Sequence, residues 1–312
     1  MSHAAFQELS SCSLIRFSGE EARSFLHNQL SCDVAGLAPG RSTFGAYCTP
    51  KGRILASFLL WQSEQGYFMQ LPSSLHEPIQ KQLSKFILRS RVKAAGVSSD
   101  WVLIGVAGKD AASLVQRVVG QAPGSAHGVV HVDGTAVINL PTDRYEIAVP
   151  RGKAHRTLEM LAAGAEKADQ ERWQWLDIRA GIPTITPATQ EAFVPQMVNL
   201  DLIGGVSFEK GCYPGQEIVA RMHYRGTLKQ RMYLAHIAGT DNPRPGDRLF
   251  SSDFGEQACG TIVNAARLPE DGYDVLAVIQ ITSAGKGNVC WKAIDGPVLK
   301  LLPLPYAVPV SD

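Results

Sequence analysis

The sequence has no apolar run long enough to cross a bilayer. Its longest, from Ile54 to Trp61, is interrupted by Ser57 and falls far short of the roughly 20 residues a spanning helix needs. The opening residues carry neither a basic cluster nor an extended apolar stretch, so no secretory leader is expected and the expected location is cytoplasmic. Cysteines at metal-ligand spacing are also missing. The six cysteines stand at positions 12, 32, 48, 212, 259 and 290. None forms C-x-x-C, and no His pair has zinc-finger spacing, so neither a structural zinc nor a cluster held by neighbouring thiols is expected. Charge of one sign is not in excess either. With 30 basic and 29 acidic residues the formal net charge is +1. The chain as a whole therefore has no footprint for direct, strong nucleic-acid binding, and no membrane partner is expected. The stretch Gly36 to Ser42 has one residue too few between its glycines, and Arg in place of Lys, for a phosphate loop. No internal repeat or low-complexity segment is visible.

What is present is an ordinary globular balance, 45% hydrophobic and 19% charged over 312 residues, enough for two or three packed modules. Ser18-Gly19-Glu20-Glu21 has the form of a capping box, followed by Ala22, Phe25, Leu26 and Leu30 at helical spacing. Ile54–Trp61 and Tyr67–Leu71 read as strands, with Pro50-Lys51-Gly52 as a turn before the first. Ser74-x-x-Glu77 opens a helix with Ile79, Leu83, Phe86 and Ile87 on one face and Arg89, Arg91 and Lys93 towards its end. Val102–Val106 predicts a strand, and Ala111–Val119 a helix stopped by Gly120. Val129–Leu140 and Arg144–Val149 alternate like strands, and Lys153–Ala163 reads as a helix. Together these predict an α+β region with mostly antiparallel sheet. From about Gly226 onward, short strand candidates (Gln230–Ile237, Gly260–Ala266, Tyr273–Ile281, Val298–Leu302) are separated by turn residues. That pattern predicts a small C-terminal β-barrel or sandwich.

The most informative stretch runs from Pro195 to Gly226. Gly204-Gly205 permits an unusual backbone or a close approach. Lys210-Gly211-Cys212-Tyr213-Pro214-Gly215-Gln216-Glu217 reads as a turn entering a helix. Pro214 suits the first helical position and Gly226 the stop. Ile218, Val219 and Met222 supply an apolar face. Cys212 then has two readings. It is either a reactive thiol favoured by the helix N-terminus and by Lys210, or a small buried thiol filling the turn.

The run from Lys210 to Glu217 resembles the signature of the YgfZ family of folate-binding proteins. Phe25-Leu26-His27-Asn28-Gln29-Leu30, Asp33-Val34, Pro50-Lys51-Gly52-Arg53, Ala180-Gly181-Ile182-Pro183, Phe193-x-Pro195-Gln196 and Leu302-Pro303-Leu304-Pro305-Tyr306 resemble further family patterns in the family's order. The resemblance implies a fold like the glycine-cleavage T-protein. In that fold two interleaved α+β subdomains, here residues 1–226, and a C-terminal β-barrel, residues 227–312, surround a channel for tetrahydrofolate. It also implies an accessory role in maintaining iron–sulfur enzymes, including those that modify tRNA. The implied partners are a folate and iron–sulfur assembly or client proteins.

T-proteins carry an Asp-Asp pair shortly after the strand start that matches Gly52-Arg53-Ile54-Leu55. Here that pair is Ala56-Ser57, neither able to act as a carboxylate. Loss of aminomethyl transfer with retention of the cavity is therefore expected; the rival reading is a folate-dependent one-carbon transferase. Trp173 is the candidate pterin platform, at a family position linked to folate. Its plain alternative is a core residue. Arg179 is the candidate for the folate carboxylates, against a solvated surface arginine. Another family tryptophan aligns with Cys12. Glu191 and Gln196 are weaker candidates for the pterin edge, with a loop role as the alternative.

Overall fold

The structure is a computed structural model that describes residues 4–268 and 272–309. Two compact units emerge. One comprises Met1–Gln29, Asp33–Phe44 and Phe58–Trp173; the other comprises Leu30–Cys32, Gly45–Ser57 and Gln174–Asp312.

Residues 5–167 use one strand–helix order twice. The chain enters by β1 (Ala5–Glu8) and then runs β2 (Cys12–Ser18), α1 (Ala22–Gln29), β3 (Ser42–Cys48), β4 (Ile54–Ser63), β5 (Gly66–Pro72), α2 (Ser73–Ser84) and β6 (Lys93–Gly96). It repeats that order as β7 (Trp101–Ala107), α3 (Ala111–Val119), β8 (Val129–Val132), β9 (Thr135–Leu140), β10 (Arg144–Pro150), α4 (Arg151–Ala162) and β11 (Glu166–Lys167). The sheets have matching orders, β3-β4-β5-β2-β6 and β8-β9-β10-β7-β1-β11, the second with β1 inserted. The repeat is invisible in the residues because only topology and burial pattern recur. One local device does recur in sequence. Pro72 and Pro150 both end a strand with φ −55° and ψ 136° and lead directly into a helix. The fixed φ of proline suits such an abrupt change.

In the second sheet, alternate side chains of β7 and β10 form a core with α3 and α4. Ile104, Val106, Leu114, Ile147, Val149 and Leu161 are all buried there, each contributing about 1.5–3 kcal/mol relative to exposure. α3 has the predicted limits, and Gly120 ends it at φ 97°, a conformation that favours glycine.

Two local expectations were not met. Glu21 does not close a capping box; its carboxylate accepts the Arg91 backbone N–H, while Ala22 N–H donates to Gly19. α2 ends at Ser84, so Phe86 is 53% exposed, and Arg89, Arg91 and Lys93 lie beyond the helix. Leu75, Ile79 and Leu83 complete the buried stripe without it.

The second unit holds α5 from Gln174 onward (helix limits Gln170–Arg179), a 3₁₀ turn at Pro195–Val198, and α6 (Gln216–Arg225). Then come β12 (Gln230–Ile237), β13 (Arg248–Ser251), β14 (Ala258–Arg267), β15 (Tyr273–Gln280), α7 (Ile281–Lys286), β16 (Val289–Trp291) and β17 (Lys300–Leu302). These strands form an antiparallel sheet of order β16-β13-β14-β15-β12-β17, curled into a half-barrel. Leu249, Ile262, Val275 and Trp291 fill its concave core. The short β13 and β16 were not legible as strands, being only 4 and 3 residues long. A bulge between Ile262 and Asn264 in β14 re-aims Asn264, whose amide pairs with both backbone groups of Thr184.

Candidate functional site

In the second unit, the signature segment closes onto the turn between β3 and β4. Thr49 N–H donates to the Arg53 carbonyl and Gly52 N–H to the Thr49 carbonyl, making a tight turn with Gly52 at φ 72°. Gly215, at φ 84°, caps α6 and lies directly against that turn. α6 therefore starts at Gln216, and Pro214 stands ahead of it rather than in its first position, because the left-handed Gly215 comes between. Gly226 ends the helix in extended conformation, as expected. Val219 alone is fully buried in α6, while Ile218 and Met222 are half-buried.

Side chains then pin the loop. Lys210 Nζ donates to the Leu30 carbonyl at 2.6 Å and lies 4.8 Å from the Tyr213 ring centroid. Gln216 Nε2 donates to the Lys210 carbonyl. Ser31 Oγ donates to Gly205 and accepts the Ala46 N–H. Tyr213 is buried, and its hydroxyl has no hydrogen-bond partner among the described residues. Burial, with Cys48 and Cys32 nearby, pushes its pKa up. Burial alone pushes the Cys48 thiol up to about 12. Cys212, in contrast, is exposed. The reading of Cys212 as a buried filler is thus excluded: the turn spends Tyr213 on packing and leaves Cys212 at the surface. Glu217, in the first turn of α6, is exposed, a favourable place for a carboxylate.

Ala56 and Ser57, where a carboxylate pair was looked for, are both buried. Ser57 Oγ donates to the Pro183 carbonyl and accepts the Ile185 N–H, each at 3.0 Å. The hydroxyl works as a structural clip.

Arg179 is partly exposed, and its Nη1 is 3.5 Å from Asp274 Oδ2. Asp274 is buried and also accepts from Trp175 Nε1 at 2.9 Å and meets His236 Nδ1 at 3.2 Å. Gln196 is buried, its amide donating to the Val219 carbonyl; Glu191 is exposed at φ 59°.

Trp173 lies in the first unit and is 6% exposed. Its ring occupies the space a side chain at Gly105 would need: a methyl group there would stand 2.4 Å from Cε3. The buried Arg144 guanidinium is 5.2 Å from the ring centroid. Two residues along β10, Glu146 accepts from Gln70 Nε2 at 3.1 Å. Gln70 Oε1 is a buried acceptor with no partner among the described residues. Gln70, Arg144 and Glu146 were missed from sequence. Arg144 and Glu146 alternate with Tyr145 and Ile147, which reads as a solvated sheet face, yet this face is covered. Among the described residues no three His, Cys, Asp or Glu side chains gather as metal ligands, and no helix is long and apolar enough to cross a membrane.

These features agree with what the chain is similar to. Residues 1–169 match the family model described as the GCVT N-terminal domain. The glycine cleavage system aminomethyltransferase T of Bartonella henselae superposes with a TM-score of 0.78, covering 97% of this chain and 86% of that one, at 20% identity. The fold is therefore the T-protein fold. Within it, the chain is 30% identical to the tRNA-modifying protein YgfZ of Shigella sonnei (strain Ss046) over 95% of its length and 91% of the relative's. It is also 30% identical to the YgfZ of Sodalis glossinidius (strain morsitans), over 95% of this chain and 90% of that protein. The chain belongs to the YgfZ family.

Proposed function

We propose that this protein is a cytoplasmic folate-binding accessory factor that supports iron–sulfur enzymes and through them tRNA modification, without transferring aminomethyl groups. The folate-binding region is residues 1–226 and residues 227–312 complete the protein as a barrel-like module. The observation that carries the reading is the setting of Trp173: a large ring seated on Gly105 beside the buried Arg144 guanidinium, with Glu146, bonded to Gln70 whose Oε1 is unpartnered among the described residues, two residues further along the same strand. Tetrahydrofolate, when bound, supplies a flat pterin with N–H donors and a tail of carboxylates. Trp173 offers the flat apolar surface, and Gln70 and Glu146 offer acceptors that suit pterin N–H groups. Arg179 is the candidate cation for the tail carboxylates; its guanidinium stands 3.5 Å from Asp274.

Ser57 supports the non-transferase reading. Its hydroxyl is already committed to two backbone groups, and neither it nor Ala56 offers a negative charge to an iminium-like centre. Cys212 is the thiol through which the protein meets its iron–sulfur assembly or client partners. Its exposure, on a loop that Lys210 and Gln216 anchor, supports that role.

A titration with tetrahydrofolate under reducing conditions tests the reading, with calorimetry on the wild type and on Trp173→Phe. Saturable heat that weakens in the variant is expected. Absence of binding at high micromolar ligand overturns the folate assignment. Methylamine-donor turnover by the wild type would instead establish the transferase alternative.

A further inference from the structure

The charge balance of the whole chain conceals a local surface. From Phe208 through Arg231 there are five lysines and arginines and two acidic residues. Arg221 and Arg225 are one helical turn apart on α6 and share a face; Lys229 follows the helix. All three are exposed, and among the described residues none is in an ion pair. Exposed aromatic rings lie among them. Tyr224 is 65% exposed. Its ring meets His223 edge-on, with centroids 4.8 Å apart, and His223 stacks on Phe208 at 3.7 Å and 12°.

This aromatic series leads to a pocket of about 310 Å³ lined by Gln196, Asp201, Met222, His223, Leu228 and Arg231. Arg231 is committed to Asp201 by two bonds of 2.8 and 3.0 Å, so it forms a fixed wall rather than a free cation. Gln196 is 3% exposed. Its Nε2 donates to the Val219 carbonyl at 2.7 Å, which sets the amide orientation, and its Oε1 has no partner among the described residues. A buried, unpaired acceptor is costly unless a ligand donor completes it.

Unpaired cations for a backbone of phosphates, rings for stacking, and a pocket with an acceptor for a base N–H are the three elements of single-strand nucleic-acid recognition. From their conjunction on one surface we propose that the α6 face binds single-stranded RNA. Arg221, Arg225 and Lys229 contact phosphates, Tyr224 and His223 stack unpaired bases, and one base enters the pocket to donate to Gln196. An acidic peptide would use the cations but leave the rings and the acceptor unmatched. The folate assignment rests on Trp173, Gln70, Glu146 and Arg179; Gln196, the weaker pterin-edge candidate, plays no part in it, so the two proposals fail separately.

The test uses the full chain and a fluorescein-labelled RNA of about 12 nucleotides, followed by anisotropy between about 50 and 200 mM salt. The single strand is expected to bind more tightly than its duplex and more tightly than an abasic strand of equal charge. The combined Arg221→Ala, Arg225→Ala, Lys229→Ala variant is expected to lose at least about tenfold at low salt and to reduce the salt slope by about 2, from 0.7 per phosphate contact. Tyr224→Ala is expected to weaken binding on the order of tenfold, with Tyr224→Phe restoring it. These side chains are exposed, so unchanged circular dichroism is expected throughout. No binding, equal binding of the abasic or duplex probe, unchanged affinity in the triple variant, or displacement by oligoglutamate as effective as by unlabelled RNA would each overturn the proposal.

Discussion

Gly215 and Gly52 meet backbone to backbone: a methyl group on Gly215 would stand 2.6 Å from both the Cα and the amide nitrogen of Gly52, and 2.4 Å from the Thr49 carbonyl oxygen. Two motifs more than 150 residues apart are thereby locked into one unit of structure. Gly215 also sits at φ 84°, so Gly215→Ala combines backbone strain with collision. A loss of at least about 2 kcal/mol is expected in urea unfolding. Gly204 has φ 78° with open space around its missing Cβ. Gly204→Ala should therefore cost only the strain, about 1 kcal/mol. Equal losses at the two positions would refute the close-contact account.

Thiol reactivity should divide the cysteines. The thiolate is the reacting form, and burial pushes Cys48 up to about 12 and Cys259 up to about 11. Cys212 is exposed. Brief alkylation of the native protein near pH 8, followed by peptide mass spectrometry, should find Cys212 modified. Cys48 and Cys259 should react only in denaturant.

Gly105→Ala is a sharper probe of the Trp173 setting than removal of the ring. The added methyl group would stand 2.4 to 2.5 Å from Trp173 Cε3 and Cζ3, forcing the indole to move. Such overpacking costs about 1–3 kcal/mol. Tryptophan emission should shift and tetrahydrofolate affinity should fall with the fold retained. Unchanged affinity beside a shifted spectrum would separate Trp173 from folate.

His127 supplies a pH dependence. It packs edge-on against Phe44, with centroids 5.0 Å apart, and burial, then the Arg41 charge, hold its pKa below the ordinary 6.5. The folded state thus favours neutral imidazole, and the unfolded chain binds the proton more readily. This contribution to stability is present above about pH 6.5 and is lost as pH falls below it. Thermal midpoints measured from pH 7.5 down to 5 should decline, and His127→Asn, which tolerates the local φ of 61°, should flatten that part of the decline. An equally steep decline in the variant would assign it to other groups.

Much of this molecule is local. The 3.6-residue spacing of Ala111, Leu114 and Val115, with Gly120 behind them, specified α3 because a helix interior needs only neighbours along the chain and a residue free to turn left-handed at its end. The strand Gln230–Ile237 was legible for the same kind of reason. The signature from Lys210 to Glu217 was legible as a turn entering a helix, and α6 starts at Gln216.

Other features exist only once the chain is folded. The repeated topology of residues 5–167 has no repeating residues, since a sheet order can be kept by any sequence that preserves burial. Arg144 and Glu146 look solvent-facing by alternation, yet both are buried, Arg144 against Trp173 and Glu146 against Gln70. That Cys212 is exposed while its neighbour Tyr213 is buried could not be read from hydrophobicity, because the loop is anchored by bonds to Leu30 and Ser31 and by close packing of Gly215 on the Thr49–Gly52 turn. Pattern along the chain determined the elements and pointed to the residues of interest. Contacts between distant segments decided which of them are accessible, because burial depends on what folds over a residue and not on what precedes it.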